Sequence, residues 1–178
     1  MRGAGRSGDG PQDTKSTDES RFRQTGWPGF RAILFHKYFL LRRAMTVGVR
    51  GMVFDRQANT IFLIRHTYVP GWQLPGGGVE LGETCEEALA REFAEEGNIV
   101  FTAPPLLKSI HLNRVATRRD HVAFYLIEHF SQDRPKQPDR EIAEAGFFAL
   151  DALPEATTPA TRRRIAEVFR GEAASGYW

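Results

Sequence analysis

Residues Gly76–Ile99 read GGGVELGETCEEALAREFAEEGNI, and the interpretation of this stretch decides the fold. Three glycines open it, a Gly-Glu-Thr helix start follows, and Glu92, Glu95 and Glu96 then fall within five residues. A helix turns about 100° per residue, so these side chains share an arc of about 100° on one face. Like charges so placed repel and raise each other's pKa unless a cation sits among them. Carboxylate oxygens are hard donors, which points to Mg²⁺, or Mn²⁺, with water and substrate phosphate completing the shell. Thr84 with Glu87 three residues later is a capping-box pattern, and it predicts a helix from Glu83 or Thr84 to Glu96. Cys85, Leu89 and Phe93 recur at i, i+4 and i+8 as its buried stripe. The angle of Glu96 falls between those of Cys85 and Phe93, so a carboxylate is directed along an apolar stripe. A half-buried carboxylate there needs a cation or a hydrogen-bond donor.

From Gly77 the spacing is G-x5-E-x7-R-E-x-x-E-E, with Glu83, Arg91, Glu92, Glu95 and Glu96 at the fixed places. This resembles the Nudix box, the signature of hydrolases that cleave nucleoside diphosphates linked to another moiety. The preceding WQLPGGG, Trp72–Gly78, extends the resemblance upstream. One position departs: Asn98 stands where the family pattern has glycine. It falls just past the predicted helix end, where a left-handed backbone is wanted and Asn is the usual substitute.

The resemblance implies an α/β fold, an α/β/α sandwich with a mixed sheet between helices, over roughly Met45 to Gly171. It also implies roles. The Gly76 carbonyl with Glu92, Glu95 and Glu96 would hold Mg²⁺ or Mn²⁺, and Arg91 would pair with Glu83 and the metal-binding glutamates to fix their geometry. Glu92 is the first choice for general base, with Glu141 or Glu144 on the loop entering the last strand as the alternative. The plainer reading of that pair is solvated loop charge. Arg50, Arg65, His66, Arg114 and Trp72 are candidates to meet phosphate or base, although strand-end arginines usually face water and a tryptophan such as Trp72 is more often core than a base-stacking platform. Motifs outside the box that mark subgroups acting on ADP-ribose, dinucleoside polyphosphates, NADH or coenzyme A are absent, so the substrate stays at a nucleoside diphosphate derivative.

Composition sets the frame. A chain of 178 residues, 41% apolar and 26% charged, is long enough for one domain with its own core. A net charge of +2 carries no signal for nucleic acid, and a single cysteine, Cys85, excludes an internal disulfide and suits a reducing compartment. No apolar run approaches the roughly 18 residues a membrane helix needs. The reading is a soluble, cytoplasmic protein with a small-molecule nucleotide partner.

Residues 1–20 lack large apolar side chains after Met1 and are expected to be a disordered tail. Residues 21–44 are expected to carry an amphipathic helical segment after Pro28, a candidate interface for a homodimer. The Nudix domain is expected over 45–171 and a C-terminal tail over 172–178. Within the domain, Thr46–Phe54 and Thr60–Arg65 read as a strand pair, Leu106–Val115 and His121–Phe130 as two more strands, and Glu141–Leu150 as an edge strand. Thr158-Pro159 start a last helix running to about Arg170. Three functional readings follow: a Mg²⁺-dependent hydrolase, a Nudix-fold protein that binds a nucleotide metabolite without catalysis, or a merely solvated acidic helix. The last fails to explain the glycines or Glu96, and the second sits poorly with a complete set of box glutamates. An isomerase of prenyl diphosphates shares the fold but needs a cysteine outside the box, which this chain lacks.

Overall fold

The first two strands, β1 (Thr46–Asp55) and β2 (Thr60–His66), turn about Asp55, whose Oδ1 accepts the amides of Gln57 at 2.9 Å and Ala58 at 3.1 Å. The computed structural model describes residues 44–178, so the expected tail over 1–20 and the amphipathic segment up to residue 43 lie outside the described residues. The expected strand pair is only partly a pair. β1 and β2 are in register at Phe54↔Ile61 and Asp55↔Thr60, and beyond that the hairpin forks.

The chain from Gln73 to Val79 fills the fork. The Val49 and Gly51 amides donate to the carbonyls of Gly77 (2.8 Å) and Pro75 (3.1 Å), and Val79 N–H donates to Val47 O at 2.9 Å. On the other side Gln73 and Ile64 exchange both backbone hydrogen bonds, at 2.8 and 3.0 Å. Pro75 suits its place because only its carbonyl is used there. The segment is thus tied to β1 through Pro75, Gly77 and Val79 and to β2 through Gln73.

The other edge of β1 pairs in parallel with β5 (Asp120–Ile127), from Thr46↔Asp120 to Val53↔Ile127. With β4 (Leu106–Leu112) antiparallel to β5 and β7 (Ile142–Ala149) antiparallel to β2, the sheet order is β4-β5-β1-β2-β7. It is mixed, as expected. β5 is buried from Val122 to Ile127, in keeping with apolar residues on both its faces, and β7 is an edge. Two expected boundaries shift. β4 stops at Leu112 rather than Val115, and the next strand stops at Ile127. Phe130–Gln132 forms a separate β6, which pairs with β3 (Ile99–Phe101). Segments of three residues are too short to show a period.

Helix α1 (Cys85–Gly97) covers one face of the sheet and α2 (Pro159–Phe169) the other. Ala88, Leu89 and Phe93 of α1 pack on Val49, Phe62, Ile64 and Ile127; Ile165 of α2 packs with Met52, Ile61, Leu63 and Phe124. Both helices start as expected. Thr84 and Glu87 make the reciprocal capping box, and Thr158 Oγ1 accepts the Thr161 amide at 3.3 Å ahead of Pro159. α1 ends at Asn98, whose φ of 50° is left-handed. Cys85, placed on the buried stripe by its spacing, is half-buried at the helix start.

The end of the chain departs from the expected tail. Leu112 N–H donates to Gly176 O at 2.9 Å, Trp178 N–H donates to Leu112 O at 3.2 Å, and Trp178 packs on the α2-side core. Aromatic surface is worth burying wherever it reaches the core. Among the described residues no helix is long and apolar enough to cross a membrane.

Candidate active site

Glu96 is where loop and helix meet. It is 5% exposed, and its Oε2 accepts the Gly76 amide at 2.7 Å. That amide points inward because Gly76 sits at φ 135°, a conformation side-chain-bearing residues avoid, and a Cβ there would lie 2.1 Å from Val49 O. A Cβ on Gly77 would lie 2.2 Å from Glu92 Oε1. The glycines are therefore a steric requirement of bringing this loop against the acidic face of α1.

Arg91 organises the remaining carboxylates. Its Nε and Nη2 donate to the two oxygens of Glu83 at 2.9 and 3.1 Å, and its Nη1 donates to Glu92 Oε1 at 2.7 Å. Nη2 also donates to Gly78 O at 3.1 Å, and Glu95 Oε2 lies 3.7 Å from Nη1. The ion pair expected between Arg91 and Glu83 is present, and it holds Glu83 below the usual carboxylate range.

A cavity of about 310 Å³ is lined by Glu92, Glu95, Glu96, Lys136, Asp139, Glu141 and Ile142. Burial pushes the Glu96 carboxyl up to about 7, opposed by the Gly76 hydrogen bond and Arg50 and reinforced by Glu92 and Glu141. As they stand, no three His, Cys, Asp or Glu side chains among the described residues converge as a closed metal cage. Each box glutamate is turned toward another partner: Glu96 to Gly76, Glu92 to Arg91, while Glu95 is 64% exposed. The donor chemistry still fits a hard divalent cation, since five carboxylates line one cavity with a single lysine.

His66, one of the residues considered for phosphate or base, lies beside Glu96. It is buried, with Nε2 3.6 Å from Glu96 Oε1, and its ring lies 5.1 Å from that of Tyr68, whose hydroxyl donates to Glu141 at 3.1 Å. Burial and Arg50 lower its pKa, which keeps it neutral. His66 follows Phe62 and Ile64 at strand period two, on the face that packs against α1.

The other candidates separate. Arg50 donates to Leu74 O at 3.1 Å and is close enough to act on Glu96 and His66. Glu141 lines the acidic cavity, whereas Glu144 is ion-paired with Arg65 across the β2–β7 register, so neither of those two faces the cavity. Trp72 packs edge to face on Phe148, with ring centroids 4.6 Å apart, and lines neither cavity described here. Its amide and carbonyl tie Ala156 and Thr158 to β2's neighbour loop at 3.0 Å each. It is a packing residue.

A second cavity, of about 690 Å³, lies on the other side of the glycine run. Its walls include Arg50, Gln73, Gly77, Gly78, Asn113 and Trp178. Its size suits a drug-sized organic ligand. Gly77 touches both regions, because its Cα also abuts the Glu92 carboxylate.

The NUDIX domain model matches residues 44–169. A crystal structure of a MutT Nudix hydrolase from Burkholderia pseudomallei aligns with 31% identity and a TM-score of 0.59, over 69% of this chain and 97% of that one. An ADP-ribose pyrophosphatase of Methanocaldococcus jannaschii is 32% identical over 61% of this chain and 64% of its own length. The NAD-capped RNA hydrolase NudC of Citrobacter koseri is 32% identical over 63% of this chain and 43% of its own. The matched regions span 27% to 64% of the length of the curated relatives. With the glycine loop, the Arg91-centred carboxylates and the α/β/α sandwich in place, the chain belongs to the Nudix family.

Proposed function

We propose that the protein is a divalent-metal-dependent pyrophosphohydrolase that cleaves the diphosphate linkage of a nucleoside diphosphate derivative. The observation that carries this reading is the buried Glu96 carboxylate, bonded to Gly76 N–H inside a cavity with four other carboxylates. A carboxylate so placed is costly in the metal-free protein and favourable once a cation arrives. Glu92, Glu95 and Glu96, with the Gly76 carbonyl, would hold Mg²⁺ or Mn²⁺. When bound there, a divalent cation neutralises the diphosphate and makes water more acidic.

The chain's own residues do the rest. Arg91 ties Glu83 and Glu92 to the glycine loop and so fixes the acidic face against it. Glu92 is the first candidate to take the proton of the attacking water. Glu141 is the second, its carboxylate accepting from Tyr68; Glu144 is occupied by Arg65. The larger cavity would take the organic part of the substrate, and Gly77, between the two cavities, lets a diphosphate pass close to the main chain. The names of the relatives keep ADP-ribose and NAD-capped ends in the candidate class alongside nucleoside triphosphates.

The test is phosphate release, coupled through a phosphatase, from ADP-ribose, nucleotide sugars, dinucleoside polyphosphates and normal and oxidised nucleoside triphosphates, with and without Mg²⁺. Metal-dependent turnover of one class is the expected result and names the substrate group. Absence of turnover on every compound, with thermal stabilisation by one of them, would replace catalysis by binding.

A further inference from the structure

The larger cavity is closed on one side by the last residues of the sequence. Gly176 and Trp178 add a short parallel bridge beside Leu112 at the outer strand of the sheet. Tyr177 is clamped by Arg114, whose guanidinium lies 3.8 Å over its ring and donates to its hydroxyl at 2.5 Å. Arg163 donates to Trp178 O at 2.8 Å.

Beneath this strap runs a buried charged network. Arg164 is fully buried and donates from Nη2 to Glu167 Oε1 at 2.5 Å; the same oxygen accepts the Ser175 amide at 3.0 Å. His111 Nδ1 lies 2.7 Å from both Arg164 Nη1 and the Ser175 carbonyl oxygen, and Nε2 lies 2.6 Å from Ser109 Oγ. The Trp178 ring lies at 5.6 Å from the His111 ring and 6.1 Å from that of Phe124, with the Arg164 guanidinium 5.3 Å over it. Arg164 Nε is left without a hydrogen bond, and a buried ion pair of this kind fixes position more than it adds stability. Here what it fixes is an indole in a cavity wall.

One more group in that wall has no partner. Gln73 Nε2 is buried without a hydrogen bond, an arrangement that is costly unless a partner arrives. An aromatic surface with an idle amide is the equipment for a flat heteroaromatic ring, which stacks by its face and bonds by its edge. Trp72, the tryptophan singled out by its place before the box, has neither property.

We infer that Trp178, presented by the strap Gly171–Trp178, is the stacking surface for the nucleobase of the substrate. This rests on the hydrolase reading only for the word substrate; the binding itself does not require turnover. Binding of ADP, GDP and inorganic pyrophosphate, each with Mg²⁺, is measured by calorimetry on the full chain and on Trp178→Ala and Trp178→Phe. Base stacking on an aromatic side chain predicts that Trp178→Ala weakens the nucleotides about 5- to 150-fold. Trp178→Phe should recover most of that loss, and pyrophosphate affinity should not follow it. Equal loss for pyrophosphate, no loss in Trp178→Ala, or no nucleotide affinity in the unaltered protein would each overturn the inference. Because the readout is affinity, nucleotides that bind but are not cleaved would end the hydrolase reading and leave this one standing. Normal turnover with undiminished nucleotide affinity in Trp178→Ala would do the reverse.

Discussion

Among the described residues Glu96 and Arg164 are buried charged side chains, one on each face of the sheet, and they are provided for differently. Arg164, under α2, has the carboxylate of Glu167 at 2.5 Å and His111 at 2.7 Å. Glu96, on α1, has one backbone amide, a neutral histidine at 3.6 Å and like charges on Glu92 and Glu141. The first charge meets its counter-charge within the fold, although Arg164 Nε has no hydrogen bond. The second is left short of positive charge, and that shortage is what a site for a cation looks like before the cation binds.

The largest expected effect comes from breaking the unfinished side. Glu96→Gln keeps an oxygen for the Gly76 amide but removes a metal-ligand charge, so Mg²⁺-dependent turnover should fall by about 10³-fold or more. The same substitution should raise metal-free stability by about 1–3 kcal/mol at pH 8, since a neutral amide replaces a desolvated carboxylate among like charges. Urea unfolding with and without Mg²⁺ checks this. The unaltered protein should gain stability from the ion and the variant should gain little. Loss of stability on substitution would mean that Glu96 is a finished charge like Arg164.

The finished side should answer in the opposite way. Glu167→Ala strips Arg164 of its carboxylate and Ser175 of its acceptor, and stranding one member of a buried pair costs about 3–5 kcal/mol. The loss should show in urea unfolding and be the same with or without Mg²⁺. A variant that unfolds normally would mean that Arg164 is served by water or by Trp178 alone.

Much of this contrast was legible in the residues of α1 and little of it in those of α2. Thr84 and Glu87 announce the helix start, and the 3.6-residue period carries Glu96 onto the apolar stripe, because both are local relations along one helix. The ion pair of Arg91 with Glu83 is short-range as well, although its assignment came by resemblance. What the sequence hid is set by contacts between distant segments. The fork of β1 and β2 depends on which strand the glycine run displaces, and nothing in Thr46–His66 states that. Arg164 looks like one of three consecutive arginines in an exposed helix until Glu167, His111 and the strap close over it. Trp178 drew no attention in the sequence for the same reason, since it lies about a hundred residues from Trp72 and the box. His66 was legible as a residue that could meet phosphate or base, but not as a neighbour of Glu96, which lies thirty residues on and on another element.

The smallest effect tests whether the boundary between site and scaffold has been drawn in the right place. Asn98 is two residues from Glu96, it carries the departure from the box, and its backbone is left-handed at φ 50°. Its amide donates to Ala94 O at 3.2 Å, and the neighbouring carbonyls of Gly97 and Glu95 accept from Gln132 Nε2 and Lys136 Nζ at 2.7 Å each. The end of α1 is therefore capped by its own turn, by β6 and by the loop before β7, and the Asn98 side chain, 3.5 Å from Pro135 O, does not line the acidic cavity. Asn98→Gly should accordingly leave both turnover and stability within about 0.5 kcal/mol of the unaltered protein, because glycine accepts this conformation without strain. Asn98→Ala should cost about 1–2 kcal/mol of stability, the penalty of a Cβ in the left-handed region, and leave turnover of the folded fraction unchanged. Thermal unfolding and the phosphate-release assay on the two variants decide it. A fall in turnover in the glycine variant, with stability intact, would show that the side chain at this position belongs with Glu96 rather than with the cap.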